Sequence, residues 1–332
     1  MKAAVLYKYG IIEQNPLTIV NIDLRDPYEN EILVKVEACG VCHTDLHIVE
    51  GDLKAPSLPI IPGHQIVGRI VRVGEHIKEF RVGQRVGIPW VQEFCGKCRF
   101  CKRGNQNLCD YIKFTGFHTN GGFAEYILAK GTALYPLPEN IDPVKFAPVL
   151  CGGVIGYRAL KLSGVKNGER LGLVGFGSSA HIVLQIAIIK GIDVYVFSRS
   201  EEHRKHAESL GAKWTGTIGD KIDTKLDAII VFAPVGSLMV ESLKYLDKGG
   251  TLVSAGIHMS DLPAFSYDLI YYERKILSTA NSTPDDVKEM IEIAIRNPIE
   301  IAVTTYRLEE INLALKDIKY SKINGSAVIT FD

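Results

Sequence analysis

The chain has 332 residues, 38 basic against 38 acidic side chains, seven cysteines and 46% hydrophobic residues. This length exceeds the usual single domain, so two domains with separate cores are expected. The balanced charge, with no long like-charged block, argues against a nucleic-acid or anionic-membrane partner and for a small-molecule one.

The opening stretch, MKAAVLYKYG, lacks the apolar core and cleavage site of a signal peptide and reads as a first strand. No later run approaches the roughly eighteen consecutive apolar residues of a membrane span. A cytoplasmic protein is therefore expected, and in a reducing compartment closely spaced cysteines point to metal or catalysis rather than to disulfides.

Up to about residue 150, short alternating or β-branched runs such as EILVKVEA and IVGRIVRVG, broken by Gly and Pro, predict a mostly β domain with long loops. GVCHTDLH supplies Cys42, His43, Thr44, Asp45 and His47; IPGHQIVG supplies His64; VLCGGVIGYRAL supplies Cys151. Two thiolates and one imidazole with an open fourth position form a known catalytic zinc arrangement. Spacing alone does not join three such distant segments. His64 as a satisfied core histidine and Cys151 as a small buried hydrophobe are equally open readings. Cys39 reads as a core residue of a strand.

CGKCRFCKRGNQNLC places Cys95, Cys98, Cys101 and Cys109 at C-x2-C-x2-C-x7-C spacing. Thiolates two residues apart in turns converge on one tetrahedral zinc, and Gly96, Lys97, Lys102 and Arg103 suit an exposed loop. Four sulfurs would close the coordination shell, so this cluster reads as structural. An iron–sulfur cluster is the alternative.

Beyond Cys151, apolar runs alternate with helical patterns. Strands are predicted at ERLGLVGFG, DVYVFS, LDAIIVFA and TLVSAGI, with helices at SSAHIVLQIAIIKG, EEHRKHAESLG and GSLMVESLKYLDKGG between them. Repeated units of this length imply a parallel sheet with right-handed crossovers. Gly191, Gly211 and Gly249 are expected to end the three helices at left-handed positions. PDDVKEMIEIAIRN predicts a last long helix opened by Pro284, and the tail returns to a helix and a closing strand.

GFGSSA sets Gly175, Gly177 and Ala180 at the G-x-G-x-x-G/A positions between the first strand and helix of this half. Small residues there permit a tight turn, close approach to a pyrophosphate and close helix packing, so a dinucleotide is the expected ligand. The second strand ends in FSRS, with Ser198, Arg199 and Ser200 and no carboxylate until Glu201. An acid there would favour NAD, whereas an arginine and two hydroxyls favour the 2′-phosphate of NADP, with NAD the alternative.

Together, GVCHTDLH, PGHQIVG, the four-cysteine run and GFGSSA, in this order and over essentially the whole chain, resemble the zinc-dependent alcohol dehydrogenases of the medium-chain dehydrogenase/reductase superfamily. The resemblance implies an α/β fold: a GroES-like, mostly β catalytic domain over 1–149 and 283–332 with a structural-zinc lobe at 93–112, and a Rossmann doubly wound parallel-sheet domain over 150–282. It implies two zinc ions per chain. Cys42, His64 and Cys151 would hold the catalytic one, and Cys95, Cys98, Cys101 and Cys109 the structural one.

By the same resemblance, Thr44 and His47 would relay the substrate proton, Asp45 would orient His64, His43 would lie near the cofactor pyrophosphate, and Trp90 of GIPW would limit substrate size. The expected activity is reversible hydride transfer between a primary alcohol or aldehyde and NAD(P), by a homodimer or homotetramer. A polyol or secondary-alcohol dehydrogenase of the same superfamily, or a non-catalytic dinucleotide-binding protein, are the alternatives. Two positions depart from the family pattern: Gln65 replaces the usual Glu after the histidine, and Ser326 of NGSAV replaces a pyrophosphate-contacting arginine.

Overall fold

A computed structural model describes residues 1–331. The chain forms two compact units. One comprises Met1–Cys151, Asn281–Ile295 and the chain from Ile301 onward; the other comprises Gly152–Ala280 and Arg296–Glu300.

The first unit opens with β1 (Lys2–Leu6) and β2 (Leu17–Asn21), an antiparallel pair in which Ala4 faces Ile19. β3 (Glu31–Val41) follows, then the helix α1 (His43–Glu50), β4 (Gln65–Val73) and β5 (Arg85–Ile88). A small lobe contains β6 (Val91–Glu93), the one-turn helix α2 (Arg99–Lys102) and β7 (Lys113–Phe114), with β6 and β7 paired antiparallel. β8 (Tyr126–Lys130) and β9 (Tyr135–Pro136) complete the N-terminal strands, and β3 pairs antiparallel with both β4 and β8.

In β3, Lys35 and Glu37 alternate with buried Val34 and Val36, the signature of a strand with one wet face. From Ala38 to Val41 every residue is buried, so both faces are covered where the strand delivers Cys42. Cys39 is wholly buried there, as expected of a core residue. The helix α3 (Pro143–Phe146), capped by Asp142, leads through a 3₁₀ turn at Ala147–Leu150 to Cys151.

In the second unit, α4 (Gly152–Ser163) precedes β10 (Arg170–Val174), α5 (Ser178–Ile189), β11 (Asp193–Phe197), α6 (Glu201–Ser209) and β12 (Trp214–Gly216). Then come β13 (Leu226–Val231), α7 (Gly236–Ser242), β14 (Leu246–Ser254) and β15 (Lys275–Ser278). All neighbouring strands run parallel in the order β12-β11-β10-β13-β14-β15. The order reverses beside β10, the topological switch point at which doubly wound sheets bind ligands. Val174, Phe197, Ile229 and Leu252 belong to one buried cluster.

Gly191 and Gly211 follow α5 and α6 with φ of 73° and 96°, as expected of helix ends. The third helix differs from the sequence expectation. It stops at Ser242, and LDKGG lies in β14 rather than in a helix. Gly249 keeps a left-handed φ of 72°, but inside a strand whose register with β13 shifts locally. A Cβ on Gly250 would come within 3.0 Å of the Asp227 carbonyl oxygen, so the glycine pair serves an irregular strand entry rather than a helix end. The three-residue β12 was not anticipated, being too short to show alternation.

The chain then returns to the first unit. α8 (Pro284–Arg296) carries Asp285 and Asp286 in its first turn and buries Val287, Met290 and Ile291. After β16 (Val303–Arg307) and α9 (Ile311–Lys319), β17 (Ser326–Thr330) inserts between β16 and β3, giving the order β16-β17-β3-β4-β5-β9. No helix among the described residues is long and apolar enough to cross a membrane.

Candidate active site and metal centres

The switch from β3 to α1 builds the first centre. Cys42 is the N-cap of α1: its Sγ accepts the Thr44 N–H at 3.3 Å, and its own N–H donates to Asp45 Oδ2 at 3.0 Å. Asp45 is fully buried, and its Oδ1 accepts from the Gly63 N–H at 3.1 Å and lies 3.0 Å from His64 Nδ1. That contact turns the opposite ring nitrogen, Nε2, to within 3.4 Å of Cys42 Sγ. Gly63, at φ 97°, packs so closely on Phe123 that a Cβ would come within 2.8 Å of its backbone nitrogen, so only glycine allows the chain to present His64 here.

Cys151 arrives from the 3₁₀ turn, and the Cys42, His64 and Cys151 ligand atoms all lie within 4.8 Å of one another. Tetrahedral zinc, with Zn–S near 2.3 Å and Zn–N near 2.1 Å, spaces its ligands by roughly 3.5–3.8 Å, so this donor set fits the ion. Among the described residues no further His, Cys or carboxylate joins the group. The electrostatics are those of a site built for a dication. Hydrogen bonding from Cys151 holds Cys42 well below the usual thiol range and Cys151 correspondingly above it. Burial opposes charge on His64, but Asp45 and Cys42 outweigh it and push its pKa up to about 10. Burial raises Asp45.

Around this centre Thr44 is buried, His43 is exposed at the start of α1, and His47 Nδ1 lies 2.8 Å from Asp52 Oδ2. Trp90 packs its ring edge-on to His64, with centroids 4.7 Å apart. Gln65 is buried at the start of β4, opposite Gly40. Ser326 is buried at the start of β17.

The second centre lies in the lobe. The sulfurs of Cys95, Cys98, Cys101 and Cys109 fall within 4.8 Å of one another. Backbone N–H groups of Cys98 and Cys95 donate to Cys95 and Cys109 sulfurs at 3.3 Å. The Cys101 N–H is the main cause that brings Cys98 down to about 6. Four sulfurs at this spacing fit a closed zinc shell.

In the parallel-sheet unit, Gly175 has φ 86°, and a Cβ on it would sit 3.0 Å from the Ala233 nitrogen. Nothing lies within 4 Å of the Cβ position on Gly177, the N-cap of α5, while Ala180 is fully buried. The turn therefore leaves room beside the positive end of a twelve-residue helix, a surface suited to pyrophosphate. At the end of β11, Ser198 is buried, Arg199 is exposed, and Ser200 caps α6 by accepting the His203 N–H. Arg204 Nη1 donates to the Ser198 and Arg199 carbonyls at 2.8 and 3.1 Å. The sequence reading did not single out Arg204 or Asp52. Their signal is positional, each lying five residues beyond a suspected site residue.

The alcohol dehydrogenase GroES-like domain model matches residues 28–139, and the zinc-binding dehydrogenase model matches residues 180–296. A probable alcohol dehydrogenase, AdhA, of Mycobacterium tuberculosis (strain CDC 1551 / Oshkosh) is 39% identical over 335 residues, covering 99% of this chain and 97% of the relative. An alcohol dehydrogenase of Geobacillus stearothermophilus is 38% identical over 338 residues, covering 99% and 98%. Among solved structures, CAD from Helicobacter pylori complexed with NADP(H) has a TM-score of 0.88 at 25% identity, covering 99% of each chain. The chain thus belongs to the zinc-binding alcohol dehydrogenases of the medium-chain dehydrogenase/reductase superfamily. It is an oxidoreductase acting on small molecules with a nicotinamide cofactor.

Proposed function

We propose that the protein interconverts primary alcohols and aldehydes, prefers NADP over NAD, and holds one catalytic and one structural zinc per chain. The observation that carries this reading is the convergence of Cys42, His64 and Cys151 within 4.8 Å with no further protein ligand among the described residues. Zinc held there supplies Lewis-acid polarisation of an alcohol or carbonyl oxygen.

The chain's own groups do the rest. Asp45 fixes the His64 ring so that Nε2, not Nδ1, faces the two sulfurs. The Thr44 hydroxyl takes the substrate proton, and His47 passes it outward. The Asp52 carboxylate lies 2.8 Å from His47 Nδ1 and orients the ring for this step. Trp90, whose aromatic ring adjoins His64, walls the pocket against bulky alcohols. The Gly175–Ala180 turn binds pyrophosphate at the start of α5. Arg199, with Ser198 and Ser200, binds the 2′-phosphate, and Arg204 braces their backbone.

The test is a nicotinamide absorbance assay of the zinc-loaded protein with ethanol, benzyl alcohol, cinnamyl alcohol, 2-propanol and sorbitol, each with NADP and with NAD. Primary alcohols are expected to be turned over fastest, and NADP to give the higher kcat/KM. Faster turnover of 2-propanol or sorbitol would move the assignment to secondary alcohols or polyols. Metal analysis is expected to find two zinc ions per chain.

A further inference from the structure

The indole N–H of Trp90 donates to Asn281 Oδ1 at 3.0 Å, across 191 residues of sequence. Trp90 is 9% exposed, and one face stacks on Phe114 with centroids 4.8 Å apart and planes 10° from parallel. Stacking fixes the plane of an indole but not its rotation within that plane. A buried indole N–H seeks its one acceptor, so the Asn281 bond selects which edge meets His64.

Asn281 is itself held. Its backbone is left-handed at φ 53°, tolerated by asparagine but costly for most side chains. Two residues on, Thr283 N–H and hydroxyl both donate to the buried Asp286 carboxylate at the start of α8. The other end of the Asn281 amide reaches the four-cysteine lobe, with Nδ2 3.5 Å from the Asn107 carbonyl oxygen, two residues before Cys109.

We propose that Asn281 is a positioning residue for substrate-size selection, locking the Trp90 indole against His64. The proposal rests on the reading that Trp90 walls the substrate pocket. Asn281 touches no reacting atom in this scheme; it acts through the indole.

The experiment uses the zinc-loaded enzyme in a Trp214→Phe background, which leaves Trp90 as the sole tryptophan. Asn281→Gly removes the amide but suits the left-handed backbone, and Asn281→Asp keeps the acceptor. Losing one buried hydrogen bond is expected to shift the kcat/KM ratio of cinnamyl alcohol to ethanol by about three- to tenfold in Asn281→Gly. The shift should lie mainly in KM for the bulky alcohol, with a red-shifted and more quenchable Trp90 emission.

Asn281→Asp is expected to keep both the ratio and the emission near wild type. Unchanged emission and ratio in Asn281→Gly, or an Asp variant that behaves like Gly, overturns the proposal. Should Asn281→Gly fail to retain zinc, Asn281→Ala, which also lacks the acceptor, is read by the same two readouts. Trp90→Ala separates the two readings. A ratio unmoved by that change removes Trp90 from the pocket and the selectivity role with it, while the emission data still decide whether Asn281 orients the indole.

Discussion

Asp45 Oδ1 lies 3.0 Å from His64 Nδ1, and neither side chain is more than 1% exposed. The same carboxylate also accepts the Gly63 and Cys42 N–H groups, so one side chain satisfies two buried donors and one half-buried donor at the centre of the candidate metal site. Asp45→Ala would strand all three. At about 1–3 kcal/mol per orphaned buried group, a loss of roughly 3 kcal/mol or more is expected in urea unfolding. Zinc affinity is expected to fall about 10–100-fold by competition with a chelator, since the ring loses its orienting partner.

Zinc uptake at the first centre should release protons. Cys151 is raised above the usual thiol range and His64 is raised to about 10, while Cys42 is lowered well below the thiol range, so Cys151 and His64 are the two groups expected to give up a proton on ligation. Ligation needs two thiolates and a neutral imidazole, so about two protons leave per ion, and affinity rises with pH. Calorimetry in buffers of differing ionisation enthalpy counts them; no proton release would contradict this account.

Arg199→Ala is expected to raise KM for NADP by about 10–100-fold, the range for losing a charge-assisted contact, and to leave KM for NAD nearly unchanged. Equal changes for the two cofactors would remove Arg199 from the phosphate site.

His181, buried in α5, sets an acid limit on stability. Burial lowers its pKa from 6.5 to about 4, only partly offset by the Gly177 carbonyl. Between those values the unfolded chain binds a proton that the folded chain refuses. The contribution is therefore complete above pH 6.5 and is lost as pH falls toward 4, by up to about 3 kcal/mol. His181→Leu is expected to flatten the pH dependence of urea unfolding in this window; an unaltered slope would assign it to other groups.

Gln65 is buried immediately after His64. A Gln65→Glu variant adds negative charge behind the site. The acid limb of the pH–kcat/KM profile is expected to move to higher pH, because a nearby anion disfavours losing a proton. No shift would show that residue 65 is electrostatically remote from the reaction, and a shift the other way would overturn this account.

The four-cysteine lobe was legible in the sequence because its ligands are local: one short loop contains the whole geometry. The first centre was not legible from spacing. Cys42, His64 and Cys151 meet only because β3, β4 and a 3₁₀ turn end at one place, and the family resemblance, which the comparisons bear out, joined them where periodicity could not. Asp52, Arg204 and Asn281 went unnoticed because polar residues in turns look alike until their partners are known. The helix expected over 236–250 failed for a local reason: its apolar spacing ran on into residues that the sheet claimed, and Gly249–Gly250 marked an irregular strand entry.

The placement of β17 has a consequence for synthesis. Its Ala327 pairs with Val41, directly before Cys42, and its Ile329 pairs with Cys39. While the ribosome is still translating, the half of β3 that leads to Cys42 stands with one open edge, since its neighbour β17 is made only after all the intervening strands and helices. The nascent chain must carry that sticky edge until β17 is made, and shielding by a chaperone would matter most before that strand emerges from the exit tunnel.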